Sequence, residues 1–208
     1  MDRTKISEEN IVGSKQDKVL LDEGNNMNTD NKIILRKASM EDAELLFQWK
    51  NDKATIENSI SKRGVTMEEH LKWLENVIDN PMRQLFILDV NGVSVGQLRL
   101  DLESADKKMD VCQRKDCENP KEDKNRDEFL GKKEWTAEIS YGLGAEHRGK
   151  GLGKVLLEQA ETLADMFEIS TLIAEVLPHN IASQRLFKKM GFEEEQKDNF
   201  YVYRKRYE

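Results

Sequence analysis

The order of hydrophobic patterns in this sequence predicts an α+β chain: strand, two helices, three strands, helix, strand, helix, strand pair. Asn91-Gly92 between LFILDV and VSVGQLRL is the strongest short-range hairpin signal, and it makes one strand pair antiparallel. A capping box at Thr66, an N-cap at Asn180 and an amphipathic run after Gly151 supply helices to flank the strands.

Each element has its own signal. IILR (33–36) is a short strand. Ser39 and Asp42 form a variant capping box, after which Leu45, Leu46 and Trp49 recur at helical spacing. Thr66 and Glu69 form a full box, with Leu71, Leu74, Val77 and Ile78 as the predicted buried stripe behind it. The hairpin strands follow. Residues 103–134 change character: 19 of the 32 are charged, which predicts a flexible solvated insertion. EWTAEISYGL resumes as a strand. The helix after Gly151 places Leu152, Val155, Leu156, Ala160, Leu163 and Phe167 on one face. TLIAEV is a buried-type strand. Asn180 caps a helix that runs to Met190 and stops at Gly191, and strands around 192–195 and 200–204 close the chain. Residues 1–31 are polar and read as a disordered tail. Met27 stands just before the first ordered segment as a candidate start. The domain proper is 32–208.

Composition excludes several classes. A net charge of −7 argues against a general nucleic-acid binder. No apolar run approaches the roughly 20 residues that span a bilayer, and the first 31 residues lack the apolar centre of a secretory signal. A cytoplasmic protein, monomer or homodimer, is the expectation. Cys112 and Cys117 lie in the charged insertion, far in sequence from His70, His147 and His179, and read as solvated thiols; no metal site is expected.

The chemistry concentrates in Gly144 to Lys154, GAEHRGKGLGK, which runs directly into a helix. Small residues allow close backbone approach to a phosphate, and amides at a helix start point outward with partial positive charge. Gly144 to Lys150 spells G-x-x-x-x-G-K, yet Gly151 stands where a nucleotide triphosphatase needs a magnesium-binding hydroxyl. No strand ends in an Asp that could hold the metal, and only about 55 residues remain for a parallel sheet. No frame through the glycines supplies a dinucleotide G-x-G-x-x-G. The pattern that fits is R-x-x-G-x-G: Arg148, Gly151, Gly153.

HRGKGLGKVLLEQA, followed by VLPHNIASQRLFKKMGFE, closely resembles the GNAT superfamily of N-acetyltransferases, over about 33–208 without the insertion. The resemblance implies a GNAT fold, a mixed and mostly antiparallel twisted sheet splayed between its fourth and fifth strands. It also implies acetyl-CoA as co-substrate, held without metal. The strand around Tyr141 and Leu143 would then pair with the pantetheine arm. Amides from Arg148 through Gly149, Lys150, Gly151, Leu152, Gly153 and Lys154 would take the pyrophosphate, with Arg148, Lys150 and Lys154 adding charge. Asn180, Ser183 and Phe187 would line the thioester end, Asn180 doubling as helix cap.

The implied reaction is direct attack of a primary amine on the thioester. An alkyl ammonium, with a pKa of roughly 10, must first lose a proton, and a carboxylate can accept it. Glu138 lies where related enzymes place such a base; the other reading makes it an exposed strand residue or a partner of Arg99. Glu175 is a second candidate. Phe187 stands where many relatives carry a Tyr that protonates the leaving thiolate, and phenylalanine has no proton to donate. Tyr201 and Tyr203 are the substitutes to weigh against core roles.

The first half resembles the branch that acetylates UDP-4-amino sugars on the way to pseudaminic-acid-type products. Trp49-Lys50-Asn51-Asp52 matches its W-R-N-D; Thr66, Glu68, Glu69, His70 and Trp73 match T-x-E-E-H-x-x-W; VGQLR ends at Arg99. Trp49, Lys50, Asn51, His70 and Arg99 are the implied substrate contacts, with Trp49 or Trp73 stacking on a ring and Lys50 and Arg99 meeting phosphates. Core packing is the alternative for both tryptophans. A protein N-terminal acetyltransferase of the ribosomal-protein type and a noncatalytic acyl-CoA-binding domain are the rival readings.

Overall fold

A computed structural model describes residues 32–104 and 135–207. The predicted tail, the alternative start at Met27 and both cysteines of the insertion lie outside these residues. The strands are β1 (Ile33–Lys37), β2 (Arg83–Val90), β3 (Val93–Ser104), β4 (Trp135–Leu143), β5 (Ile169–Val176), β6 (Glu193–Gln196) and β7 (Tyr201–Arg206). The helices are α1 (Ala43–Asn51), α2 (Lys53–Glu57), α3 (Met67–Ile78), α4 (Leu152–Met166) and α5 (Ile181–Lys189). One seven-stranded sheet runs in the order β1-β2-β3-β4-β5-β7-β6. Every neighbouring pair is antiparallel except β4 and β5, which are parallel because α4 crosses between them. This is the GNAT fold, α+β with an open mixed sheet.

Local chemistry sets the element ends. Asn91 and Gly92 have φ of 54° and 80°, the left-handed pair that a two-residue hairpin with the strands' twist requires. Thr66 Oγ1 accepts from the Glu69 amide at 3.2 Å, and Glu69 Oε2 accepts from the Thr66 amide at 2.9 Å. Asn180 Oδ1 accepts from the Ser183 amide at 3.2 Å and opens α5.

Strand alternation divides the core. Phe86 and Leu88 of β2, Leu98 and Leu100 of β3, and Ala137 and Ile139 of β4 face α4 and α5 in one cluster. Leu85 and Ile87 of β2 face the other way, onto Leu46 and Trp49 of α1 and Leu74 and Val77 of α3. The second layer takes its strand contacts from β2. On the matching face of β3, β4 and β5 stand Arg99 and Asp101, partly covered, and Glu138 and Glu175, exposed.

Three expectations change. The buried stripe of α3 is His70, Leu74 and Val77, while Leu71 and Ile78 are exposed. Reading apolar residues alone misses His70, whose burial is made tolerable by a hydrogen bond. The short α2 carries no buried residue, so it has no hydrophobic stripe to read. β3 continues through Glu103 and Ser104, two residues into the expected insertion.

Candidate active site

β4 and β5 pair from Trp135 opposite Ile169 to Glu138 opposite Ile173, with a register shift between Trp135 and Thr136, and no further. Beyond that point β4 pairs with β3 alone, from Ile139 to Leu143, while β5 continues alongside β7. The divergence opens a cleft of about 1030 Å³. Tyr141, Leu143, Arg148, Gly149, Gly153, Asn180, Ser183 and Phe187 line it. Lys150, Gly151, Leu152 and Lys154 carry the glycine turn past its edge.

Gly151 is the N-cap of α4 with φ 81°, a conformation that penalises any residue with a Cβ. Gly153 is small for another reason: a Cβ there would lie 3.1 Å from Leu186 Cδ2 and 3.7 Å from Tyr141 Cε2. Among the described residues, the amides from Gly149 to Gly153 donate to no backbone acceptor, and the first such bond is from Lys154 to the Gly151 carbonyl. Free amides at the start of a helix of 15 residues, beside an unpaired strand edge, fit a pyrophosphate with a peptide-like arm. The charges are distributed differently from the expectation. Lys154 pairs with Glu158. Arg148 turns away from the amides: its Nη2 donates to Asp52 Oδ2 at 2.6 Å and Thr55 Oγ1 at 3.2 Å, and its Nε to the Leu143 carbonyl at 3.2 Å. Lys150 is exposed and has no ion-pair partner among the described residues.

Across the slot, the hydroxyls of Tyr141 and Ser183 are 3.0 Å apart. Burial raises the Tyr141 pKa against the opposing effect of Ser183. Phe187 is buried, stacked on Tyr203 at 5.3 Å and edge-on to Tyr141 at 5.9 Å. Tyr203 is fully buried and donates to Glu194, so it belongs to the core, and Tyr201 packs at the core's margin.

Glu138 is accessible on the open face of the sheet. The cleft walls desolvate it, and the like charges of Glu175 and then Asp101 act the same way, so its pKa is raised; Arg99 opposes them. Arg99 pairs with Asp101 at 3.0 Å, and its guanidinium lies 6.0 Å from the centre of the Trp73 ring. Glu175 is exposed on the same face, on the other side of the slot.

The expected acceptor contacts divide into two groups. Lys50, Arg99 and His70 line the cleft. Lys50 Nζ donates to Ser59 Oγ at 3.3 Å, and burial, then Arg99 and Arg63, lower its pKa. Trp49 is 7% exposed inside the α1–α3 core. Asn51 spends its amide on the Val65 backbone, accepting at 2.8 Å and donating at 3.1 Å. His70 is 2% exposed, donates from Nε2 to the Ala43 carbonyl at 2.9 Å, and has its pKa lowered by burial. The side chains of Trp49 and Asn51 are thus committed to the fold, and His70, although it borders the cleft, is held by the Ala43 carbonyl. Sequence reasoning missed Arg63 and Ser59 on the cleft wall, which sit in a polar stretch without periodicity. It also missed the Asp52–Arg148 pair, although both residues lie in quoted motifs.

Among the described residues no cluster of three or more His, Cys, Asp or Glu could hold a metal ion, and no helix is long and apolar enough to cross a membrane.

A sequence profile of the acetyltransferase (GNAT) domain family matches residues 32–193. YwnH of Bacillus subtilis (strain 168), provisionally named a phosphinothricin acetyltransferase, is 42% identical over 59 residues, or 28% of this chain. That match spans 36% of the relative's own length. An N-acetyltransferase from Staphylococcus aureus Mu50 superposes with a TM-score of 0.60 at 20% identity, covering 84% of this chain and 98% of its own. RimL, a ribosomal L7/L12 α-N-protein acetyltransferase in complex with coenzyme A, superposes with a TM-score of 0.62 at 15% identity, covering 86% and 95%. At such identities the two structures speak for the fold alone. The profile covers the sheet on both sides of the β4–β5 slot, and the chain therefore belongs to the acetyltransferase (GNAT) domain family, whose members take their acetyl group from acetyl-CoA.

Proposed function

We propose that this protein acetylates the primary amine of a UDP-amino sugar. Bound acetyl-CoA supplies the acetyl thioester; the rest of the work falls to residues of the chain. The amides of Gly149 to Gly153 hold the pyrophosphate, and the free β4 edge from Ile139 to Leu143 orients the arm toward Glu138. Glu138 accepts the proton that the acceptor ammonium must lose before its nitrogen can attack. Its raised pKa makes it a better proton acceptor than an ordinary carboxylate. Phe187 offers no proton to the departing thiolate, whose ordinary pKa of about 8.5 lets it leave unaided.

The observation that carries the anionic acceptor is Lys50. It is a half-buried cation whose pKa is lowered by desolvation and by two other cations, and its one described partner is a neutral serine hydroxyl. A ligand phosphate beside Lys50 and Arg99 would relieve that arrangement. Trp73, half-buried on the same wall, offers a ring for a uracil or a sugar face.

The test is a turnover panel of aminated UDP-sugars, short peptides with free N-termini, and phosphinothricin, with acetyl-CoA as donor. Turnover of an aminated UDP-sugar, lost when UDP is removed from it, is the expected result. Acetylation of the peptides alone would overturn the nucleotide-sugar reading, and acetyl-CoA binding without turnover of any amine would overturn the catalytic one.

A further inference from the structure

The two stretches singled out in the sequence meet at a single ion pair. Asp52 ends the Trp49-Lys50-Asn51-Asp52 run and caps α2, accepting from the Thr55 amide at 3.0 Å. Arg148 opens the glycine turn and reaches the same carboxylate oxygen at 2.6 Å, with Thr55 Oγ1 at 3.2 Å. Desolvation works against the Asp52 carboxylate, but the Arg148 hydrogen bond and the Thr55 amide hold its pKa below the usual range. At the other end of α2, His179 Nε2, just before α5, donates to the Glu57 carbonyl at 2.9 Å. No residue of α2 is buried, so these polar ties, and not core packing, seat it. α2 and the residues after it form a wall of the acceptor side: Thr55, Asn58, Ser59 and Arg63 line the cleft, and Ser59 holds Lys50.

We propose that Arg148 is a positioning residue: it spends its charge on Asp52 and not on the cofactor, and through that pair it ties the cofactor turn to the acceptor wall. Gly149 and Gly151 are left-handed pivots immediately after Arg148. A cofactor seated on the turn amides restricts those pivots. The restriction passes through the guanidinium to α2, so that occupancy of the cofactor seat steadies the wall the acceptor must meet. The inference rests on the cofactor seat and not on the acceptor, so a panel that rejects nucleotide sugars leaves it standing.

The test uses coenzyme A alone, with calorimetry for affinity and hydrogen exchange at the Ile56 and Asn58 amides, which close the turns of α2. Asp52→Asn keeps a good helix cap but removes the charge that Arg148 holds; Arg148→Gln removes the other partner. Both variants are expected to exchange at these amides about tenfold faster than the parent. Both should bind coenzyme A within about threefold of the parent affinity, because the amides that hold it remain. Saturating coenzyme A should slow this exchange in the parent and lose that effect in both variants. Unchanged exchange in Asp52→Asn, or coenzyme A protection of α2 as strong in the variants as in the parent, overturns the proposal. So does a loss of coenzyme A affinity beyond about tenfold in Arg148→Gln, which would show the cation spent on the cofactor.

Discussion

Glu138 of β4 stands directly across the strand pair from Asp101 of β3, and Asp101 holds Arg99 at 3.0 Å. The carboxylate proposed as base therefore faces another carboxylate, and Arg99, paired with that carboxylate, offsets the like charges around Glu138 only in part. Each consequence of that arrangement can be measured.

Activity should fall on the acid side as pH drops through the raised Glu138 pKa, so the acid limb of kcat/KM lies above the ordinary carboxylate range. Glu175→Gln and Asp101→Asn each remove a like charge, the first the larger influence, and each should move that limb toward lower pH. Glu138→Gln should lower turnover by about 10²–10⁴-fold, with the deficit shrinking at alkaline pH where the amine arrives deprotonated. A pH–rate series on the four proteins decides this; near-normal turnover of Glu138→Gln at neutral pH would remove Glu138 from the base role.

The same group makes a stability prediction. A carboxyl whose pKa is raised by folding favours the native state fully only below its unfolded pKa, and that contribution is lost as pH rises through the folded value. Glu138→Gln should thus raise Tm at neutral pH, with the gain vanishing once both states of the parent are protonated. Thermal melts across acid and neutral pH read this directly.

Gly151→Val forces a β-branched residue to φ 81°, and Gly153→Val drives methyl groups into Leu186 and the slot. Both should lose acetyl-CoA affinity in calorimetry. Gly92→Ala, at φ 80° in a hairpin with nothing within 4 Å of its added Cβ, should cost about 1–2 kcal/mol of stability and leave that affinity unchanged.

Lys50→Met removes a cation that its surroundings disfavour, so the protein should be as stable as the parent or more so. With a phosphorylated acceptor, kcat/KM should fall by roughly 10–100-fold while the KM for acetyl-CoA holds. Equal kinetics in parent and variant would remove Lys50 from the acceptor site.

His70→Ala leaves the Ala43 carbonyl without its donor and a gap beneath Phe47 and Trp73. We expect a loss of about 2–3 kcal/mol in urea unfolding, with near-normal kcat/KM at temperatures where the variant is folded. A stable variant with impaired acceptor KM would return His70 to the binding site.

What was legible in the sequence is what short-range chemistry decides. The Asn91-Gly92 turn, the Thr66–Glu69 box, the Asn180 cap and the left-handed Gly149 and Gly151 are determined by backbone conformations that only certain residue types adopt. Each is where its residues predict. Strand alternation carried over equally well, because a period of two needs no knowledge of the partner strand. Motif identity did less. The Trp49-Lys50-Asn51-Asp52 run marks one place in the chain, yet the structure spends its four side chains differently: Trp49 in the core, Lys50 toward the cleft, Asn51 on a loop backbone, Asp52 on Arg148.

By itself the sequence determined the family, the α+β order and a glycine-rich turn that opens a helix, because periodicity and turn chemistry are written within about ten residues of each other. The tertiary structure alone decided which charges are available to a ligand. Arg148, 96 residues from Asp52, gives its guanidinium to that carboxylate. Asp101 pairs with Arg99, and His70 disappears beneath Trp73. A charge is neutralised by whichever partner the fold brings within hydrogen-bonding distance, and that distance is fixed by chain segments far apart in the sequence.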